Sequence, residues 1–220
     1  MQRDTLWAGA ATIALAALLV GGTTLFAGPE PALAAKPVRS RPEMIRIHIL
    51  DVGQGDATII EGPADASGGR RILMVDSGES PKLGNESKHV VEPYLRSQLD
   101  DGPPGRPNVL VDWFIPTHYH FDHMGGAKGD EGTGMYYLYE ALGMKIGMIL
   151  DSGIDYDASG QGDRNYRAWV QERQPRREKL RFDQQGADKQ IALGGDVWVE
   201  VLAVAAEVEG RGRVVKDKWI

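Results

Sequence analysis

The stretch Pro116-Thr117-His118-Tyr119-His120-Phe121-Asp122-His123-Met124-Gly125-Gly126 decides how the rest of this chain is interpreted. It holds three of the chain's five histidines, with one carboxylate among them. The preceding run, Val109 to Ile115, is almost wholly apolar and predicts a strand covered on both faces. Pro116 ends that strand because proline cannot donate to a sheet ladder. His118 and His120 are two residues apart, so an extended backbone projects both to the same side.

Imidazole and carboxylate groups at this density are ligands that transition metals, zinc first, prefer. The candidate ligands are His118, His120, Asp122 and His123. Four ligands from one loop can serve two ions with two ligands each, and each ion then needs further ligands and an open position for water. The alternative is a polar loop whose histidines only form hydrogen bonds. The pattern H-x-H-x-D-H after an apolar strand favours the metal site.

Two segments upstream add to this pattern. The first, Ile47 to Ala57, contains L-D-V-G-Q-G-D-A, a strand that ends in a glycine-rich turn. Glycines there allow the backbone to pass close to a site. The second, Leu73 to Gly78, is a short apolar strand that ends in Asp-Ser-Gly. The segments from Met44, Ala57, Arg71 and Val109 predict strands of one sheet, with the histidine loop at its edge.

Together the three segments resemble the metallo-β-lactamase superfamily. The L-D-V-G-Q-G-D-A run is similar to the opening of the metallo-β-lactamase-like domain of bacterial DNA-uptake (competence) channel proteins. The resemblance covers residues 44 to about 126. It implies an α/β fold (in a wider sense α+β) of the αββα sandwich type, a dinuclear metal site and hydrolysis.

The resemblance also implies a role for each motif residue. His118 and His120 would bind one zinc ion, and Asp122 and His123 a second, with manganese or iron as substitutes. A metal-bound hydroxide would attack the substrate, and Asp122 would orient the water or pass a proton to the leaving group. Two further carboxylates, Asp76 and Asp56, complete the expected set: Asp76 supports the metal loop, and Asp56 either supports it or is a plain turn residue.

The competence-protein resemblance implies a phosphodiester, and therefore a nucleic-acid, substrate. Two alternatives stay open: a lactone, thioester or β-lactam substrate, since one fold supports many reactions, and an inactive fragment or non-catalytic metal-binding domain. The net charge of −6 gives no general affinity for nucleic acid, so phosphate binding would depend on local groups or metal. No stable protein partner is evident.

Composition and the N-terminus define the expected domains and location. The chain of 220 residues is 42% hydrophobic and 25% charged, as globular proteins are, and it has no cysteine for disulfides, thiolate ligands or a nucleophile. Residues 1–35 predict a signal peptide with an Ala32-Leu33-Ala34 cleavage pattern, or an uncleaved N-terminal anchor. Either predicts export, to the periplasm, the exterior or the outer side of a membrane. Residues 36–43 are a predicted linker.

The resembled family completes its site with ligands downstream of the histidine loop, whereas His123 is the last histidine here. Residues 44–220 are therefore expected to be the N-terminal portion of the domain, truncated or degenerate, and weakly active or inactive alone. The remaining periodicity predicts three helices and three strands: helices at 88–99, 135–142 and 165–172, and strands at 145–150, 190–193 and 197–204. The basic run from Arg173 to Arg181 is interpreted as a solvated helix end.

Overall fold

The computed structural model describes residues 44–78, 87–99, 108–127, 132–153, 160–181, 189–201, 203–204, 207–208 and 212–213. The predicted targeting segment and linker, residues 1–43, lie outside this described part. What is described combines a six-stranded mixed sheet with a few helices, so the α/β class is confirmed at that level. None of the described helices is long and apolar enough to cross a membrane.

The main sheet contains the four strands predicted to share it and two more. Its strand order follows the chain from β1 to β6. The first three strands pair antiparallel, and the last three join them by parallel pairing. The strands are β1 (Arg46–Ile49), β2 (Thr58–Glu61), β3 (Ile72–Val75), β4 (Leu110–Ile115), β5 (Lys145–Asp151) and β6 (Arg177–Lys179).

Three of the four described α-helices lie where apolar periodicity predicted them, with shifted ends, whereas the short helix at Phe121–Met124 was not predicted. A π-helical turn over Ser87–Val91 leads into α1, and α4 starts before its predicted first residue. The early start follows from local capping, because the Asp163 carboxylate accepts a hydrogen bond from the Gly160 N–H. The helices are α1 (Glu92–Leu99), α2 (Phe121–Met124), α3 (Gly134–Glu140) and α4 (Gln161–Arg173).

Side-chain alternation along the central strands gives the sheet two apolar faces. On β3, Ile72 and Met74 belong to the core formed with the helices, whereas Leu73 belongs to a second core on the opposite face. That second face is covered by a hairpin of β7 (Ile191–Gly194) and β8 (Val197–Val199). Each large apolar side chain buried in this way contributes about 1.5–3 kcal/mol.

Two predictions for the C-terminal part of the chain were wrong in part. The basic run is mostly exposed and Arg173 ends α4, as predicted, but the run also contains β6, an edge strand of the main sheet. The predicted strand 197–204 is split between β8 and a separate three-stranded sheet. The strands of that sheet are β9 (Ala203–Val204), β10 (Glu207–Val208) and β11 (Gly212–Arg213).

The topology brings four connections to one edge of the main sheet. Parallel strands β3, β4 and β5 all end there, and the β1–β2 turn lies at the same edge because β2 is antiparallel to β3. The carboxyl ends of parallel strands are where α/β sheets bind ligands. The motifs that are separate in sequence therefore meet at this edge.

Candidate metal centre

The histidine loop combines an extended segment with a single helical turn. The backbone is extended at His120 and becomes helical from Phe121 onward. This change turns His123 back toward the histidines before it. The ring centroid of His118 lies 4.7 Å from that of His120 and 3.9 Å from that of His123. All three imidazoles therefore form one cluster.

Three of the four predicted ligands converge to distances that suit a single ion. Ligand atoms of His118, Asp122 and His123 all lie within 4.8 Å of one another. The Nε2 of His123 lies 3.8 Å from Oδ2 of Asp122. His120 is outside that group. The structure thus places His118 with Asp122 and His123, whereas the resemblance implied pairing His118 with His120.

Asp76 supports the loop from the end of β3. Its side chain is 1% exposed and accepts hydrogen bonds from the N–H of Thr117 at 2.8 Å and from its hydroxyl at 2.6 Å. The Nδ1 of His123 lies 2.8 Å from the same carboxylate. A proton on Nδ1 donates to Asp76 and leaves Nε2 free to bind a metal, which is how proteins commonly orient ligand histidines.

The backbone at Asp76 is also specialised for this position. Its φ is 55°, in the left-handed region that aspartate tolerates better than most residues. The N–H of the next residue, Ser77, donates to the carbonyl of His123 at 2.8 Å. The strand end and the histidine loop are therefore joined by both side-chain and backbone hydrogen bonds.

The glycine-rich turn between β1 and β2 lies directly against the loop, as predicted. A Cβ added at Gly55 would lie 1.5 Å from the carbonyl oxygen of Asp122. Asp56 follows, with its side chain 71% exposed and Oδ2 3.9 Å from Nδ1 of His123. Asp56 and Asp76 form a second group of potential ligands with His123, although the oxygens of Asp76 already accept hydrogen bonds.

The electrostatics of the site favour neutral imidazole at its centre. Burial lowers the pKa of His118, and the neighbouring rings of His123 and His120 lower it further. The carboxylates of Asp76 and Asp122 act in the opposite direction. Neutral imidazole is the form that binds metal, so this shift favours ligation over protonation.

A cleft opens beside the loop. Its volume is about 330 Å³, and His120 and Asp122 both line it. Phe121 gives the cleft an apolar wall, and the start of α4 and Gln54 of the glycine-rich turn also line it. A substrate in this cleft would contact two of the predicted ligands directly.

The other two histidines lie away from the site. His48 contacts the hydroxyl of Tyr94, and its Nε2 lies 2.8 Å from the buried carboxylate of Glu61. His89 is exposed. Neither belongs to a group of potential metal ligands among the described residues. The tyrosines after the loop, Tyr136 and Tyr137, are buried in the core.

Two contributors to the site were not found from the sequence. Thr117 donates twice to Asp76, and Tyr119 packs behind the loop against α4. Both lie inside the motif, but neither residue type signals a role by itself. Their partners come from distant strands and helices, which a linear pattern does not identify.

Comparison with family models, curated proteins and solved structures found no match to this chain.

Proposed function

We propose that this chain is a metal-dependent hydrolase of the metallo-β-lactamase type, exported from the cytoplasm, that acts on a phosphodiester. The observation that supports it is the convergence of His118, Asp122 and His123, with Asp76 holding Nδ1 of His123. Convergent imidazoles oriented by a buried carboxylate are typical of metal ligation. The described sheet, with helices on one face and a hairpin on the other, is compatible with one half of an αββα sandwich.

The donor set fits zinc. Imidazole nitrogens and a carboxylate oxygen are its usual non-sulfur ligands, and manganese and iron accept the same set. We propose two ions held by His118, His120, Asp122 and His123, and the grouping of His118, Asp122 and His123 supports one of the two sites. When bound, such ions activate water and polarise the scissile group at neutral pH.

The protein's own residues supply position and proton control. Asp76 keeps the proton of His123 on Nδ1, and the hydrogen bonds of Thr117 hold the start of the loop. Asp122 faces the cleft and lies within reach of a bound substrate, where its carboxylate would take or return a proton. Phe121 gives the cleft an apolar wall that suits a nucleobase or another flat group.

The test uses the full chain with matched histidine variants. We expect the purified protein to contain zinc and to hydrolyse bis(p-nitrophenyl) phosphate only weakly, because the ligands that the resembled family supplies downstream of the histidine loop have no histidine counterpart here, and we expect a chelator to abolish that activity. The variant His118→Ala should lose both metal and activity. The variant His89→Ala should retain both, because His89 is exposed and outside the ligand cluster.

Each outcome has a defined meaning. Unchanged metal content in His118→Ala would refute the site. Metal without hydrolysis of phosphodiester, lactone, thioester or β-lactam would support a non-catalytic metal-binding domain. Hydrolysis of one of the last three substrates alone would keep the enzyme class and correct the substrate.

A further inference from the structure

A buried carboxylate behind the metal loop has no role in the proposed reaction. Asp151, the last residue of β5, is 0% exposed. It accepts hydrogen bonds from the hydroxyl of Tyr166 at 2.7 Å, from Nη2 of Arg177 at 3.0 Å and from the N–H of Gly153 at 2.9 Å. The Nε of Arg177 donates to it as well. Its oxygens are therefore fully engaged, and it is not a free metal ligand.

This carboxylate anchors an aromatic stack that reaches the metal loop. The ring of Tyr166, which is 1% exposed, stacks on Tyr119 with centroids 4.4 Å apart and planes inclined by 17°. Tyr119 is the residue between His118 and His120, and its side chain is buried. An offset aromatic stack of this kind contributes about 0.5–1.5 kcal/mol beyond area burial. The stack therefore links Asp151 to the backbone between two predicted ligands.

The backbone of the same segment is held by α4. A Cβ added at Gly162 would lie 1.8 Å from the carbonyl oxygen of Tyr119. The first turn of α4 consequently lies in direct contact with the loop, at a distance that only glycine permits. The ring and the carbonyl of Tyr119 are both fixed from the same helix.

We infer that Asp151 and Tyr166 are positioning residues for the metal ligands. They act through Tyr119, whose placement sets the directions in which His118 and His120 project. A ligand set must be held by its supporting residues within about 0.5 Å of the productive geometry. This inference deepens the proposed function and rests on it. The buried charge of Asp151 is compensated by Arg177, so the anchor is satisfied without metal.

The experiment compares three variants of the full chain: two at Tyr166 and one control. The variant Tyr166→Leu removes the stack, and the variant Tyr166→Phe removes only the hydroxyl that donates to Asp151. The control Tyr136→Leu truncates a residue that is 3% exposed in the same core, whose ring contacts Trp169. The readouts are zinc affinity by chelator competition, the visible spectrum of the cobalt-substituted protein, and amide hydrogen exchange over residues 118–123 of the metal-free protein.

We expect Tyr166→Leu to weaken zinc binding on the order of tenfold or more, the size seen for supporting residues of metal sites. It should also alter the cobalt spectrum and speed exchange over 118–123. Tyr166→Phe should have a smaller effect in the same direction, which keeps the test valid if the leucine variant does not fold. Tyr136→Leu should lower stability without any of these changes.

Equal effects of Tyr166→Leu and Tyr136→Leu would overturn the inference. Failure of the wild-type protein to bind zinc or cobalt would instead refute the proposed function. In that case the exchange measurement alone still decides whether the stack positions the loop.

Discussion

Replacing Asp76 by asparagine should impair metal binding while the chain still folds. The carboxylate accepts from Thr117 through one oxygen, and from the Thr117 hydroxyl and His123 through the other. In Asp76→Asn, an amide oxygen can still accept from the Thr117 N–H. The amide NH2 then faces the Thr117 hydroxyl, which can accept, and Nδ1 of His123. The side chain keeps its size and its tolerance of a positive φ.

The consequence at His123 is a change of tautomer. An NH2 group facing Nδ1 requires an unprotonated nitrogen there, so the proton moves to Nε2. Nε2 is the nitrogen directed toward Asp122, at 3.8 Å from its carboxylate. A protonated Nε2 cannot bind metal. We therefore expect zinc affinity to fall by about 10- to 100-fold, the range for lost supporting hydrogen bonds.

The variant should also lose some stability. Three charge-assisted hydrogen bonds to the carboxylate become neutral ones, at about 1 kcal/mol each, so the free energy of unfolding should fall by about 3 kcal/mol. Urea denaturation of the metal-free protein measures this value, and chelator competition measures the zinc affinity. Nitrogen NMR of the imidazole of His123 reports the tautomer directly.

The matched control is Asp112→Asn. The Asp112 carboxylate, 12% exposed, pairs with Arg71 and accepts from the Ile72 N–H at 2.8 Å. These contacts lie at the start of β3, away from the loop. This variant should lose a comparable amount of stability without losing zinc affinity. The reasoning would be refuted if Asp76→Asn kept the zinc affinity of the wild type, or if both variants lost zinc affinity equally.

Two further predictions concern the turn and the central histidine. Gly55→Ala should displace the Asp122 backbone and either lower the free energy of unfolding by more than about 3 kcal/mol or abolish metal binding. Gly68 has a similar positive φ but open space around it, so Gly68→Ala should lower the free energy of unfolding by about 1 kcal/mol. Urea denaturation and metal analysis compare the two, and equal costs would contradict the contact. In the folded protein the pKa of His118 is below its ordinary value of 6.5, so as the pH falls the imidazole is protonated in the unfolded chain before it is protonated in the folded one. The free energy of unfolding of the metal-free protein should therefore decrease as the pH drops below about 6.5. Urea denaturation at pH 7 and pH 5 should show a smaller loss for His118→Asn than for wild type, and an equal or larger loss would count against the shift.

Local patterns were enough to predict most elements of the described part. Apolar runs of strand length identified β2, β3 and β4, and helical periodicity identified α1 and α3. Pro116 marked the end of β4, and glycines marked the turn that contacts the loop. Each of these signals lies within a few residues of the feature that it predicts, because strand and helix periods are properties of neighbouring side chains.

The basic run shows why other elements were missed. Arg177 lies in β6 because its guanidinium pairs with Asp151, a buried carboxylate 26 residues earlier. Charge density alone favoured a solvated position, since an arginine is rarely buried without a partner. The partner is visible only when β5 and β6 are side by side. The burial of Asp151 could not be predicted from the sequence for the same reason.

The sequence by itself determined which residues are candidate ligands and that they follow a buried strand. Residue type and spacing decide ligand chemistry, and both are written in the chain. The resemblance implied that Asp76 supports the loop, but only the tertiary structure decided that it contacts Nδ1 of His123 from 47 positions away, and that Asp151 accepts from Tyr166, which stacks on Tyr119. These contacts depend on the parallel pairing of strands β3, β4 and β5, which brings their ends to one edge. Local propensity carries no information about which distant groups will meet there.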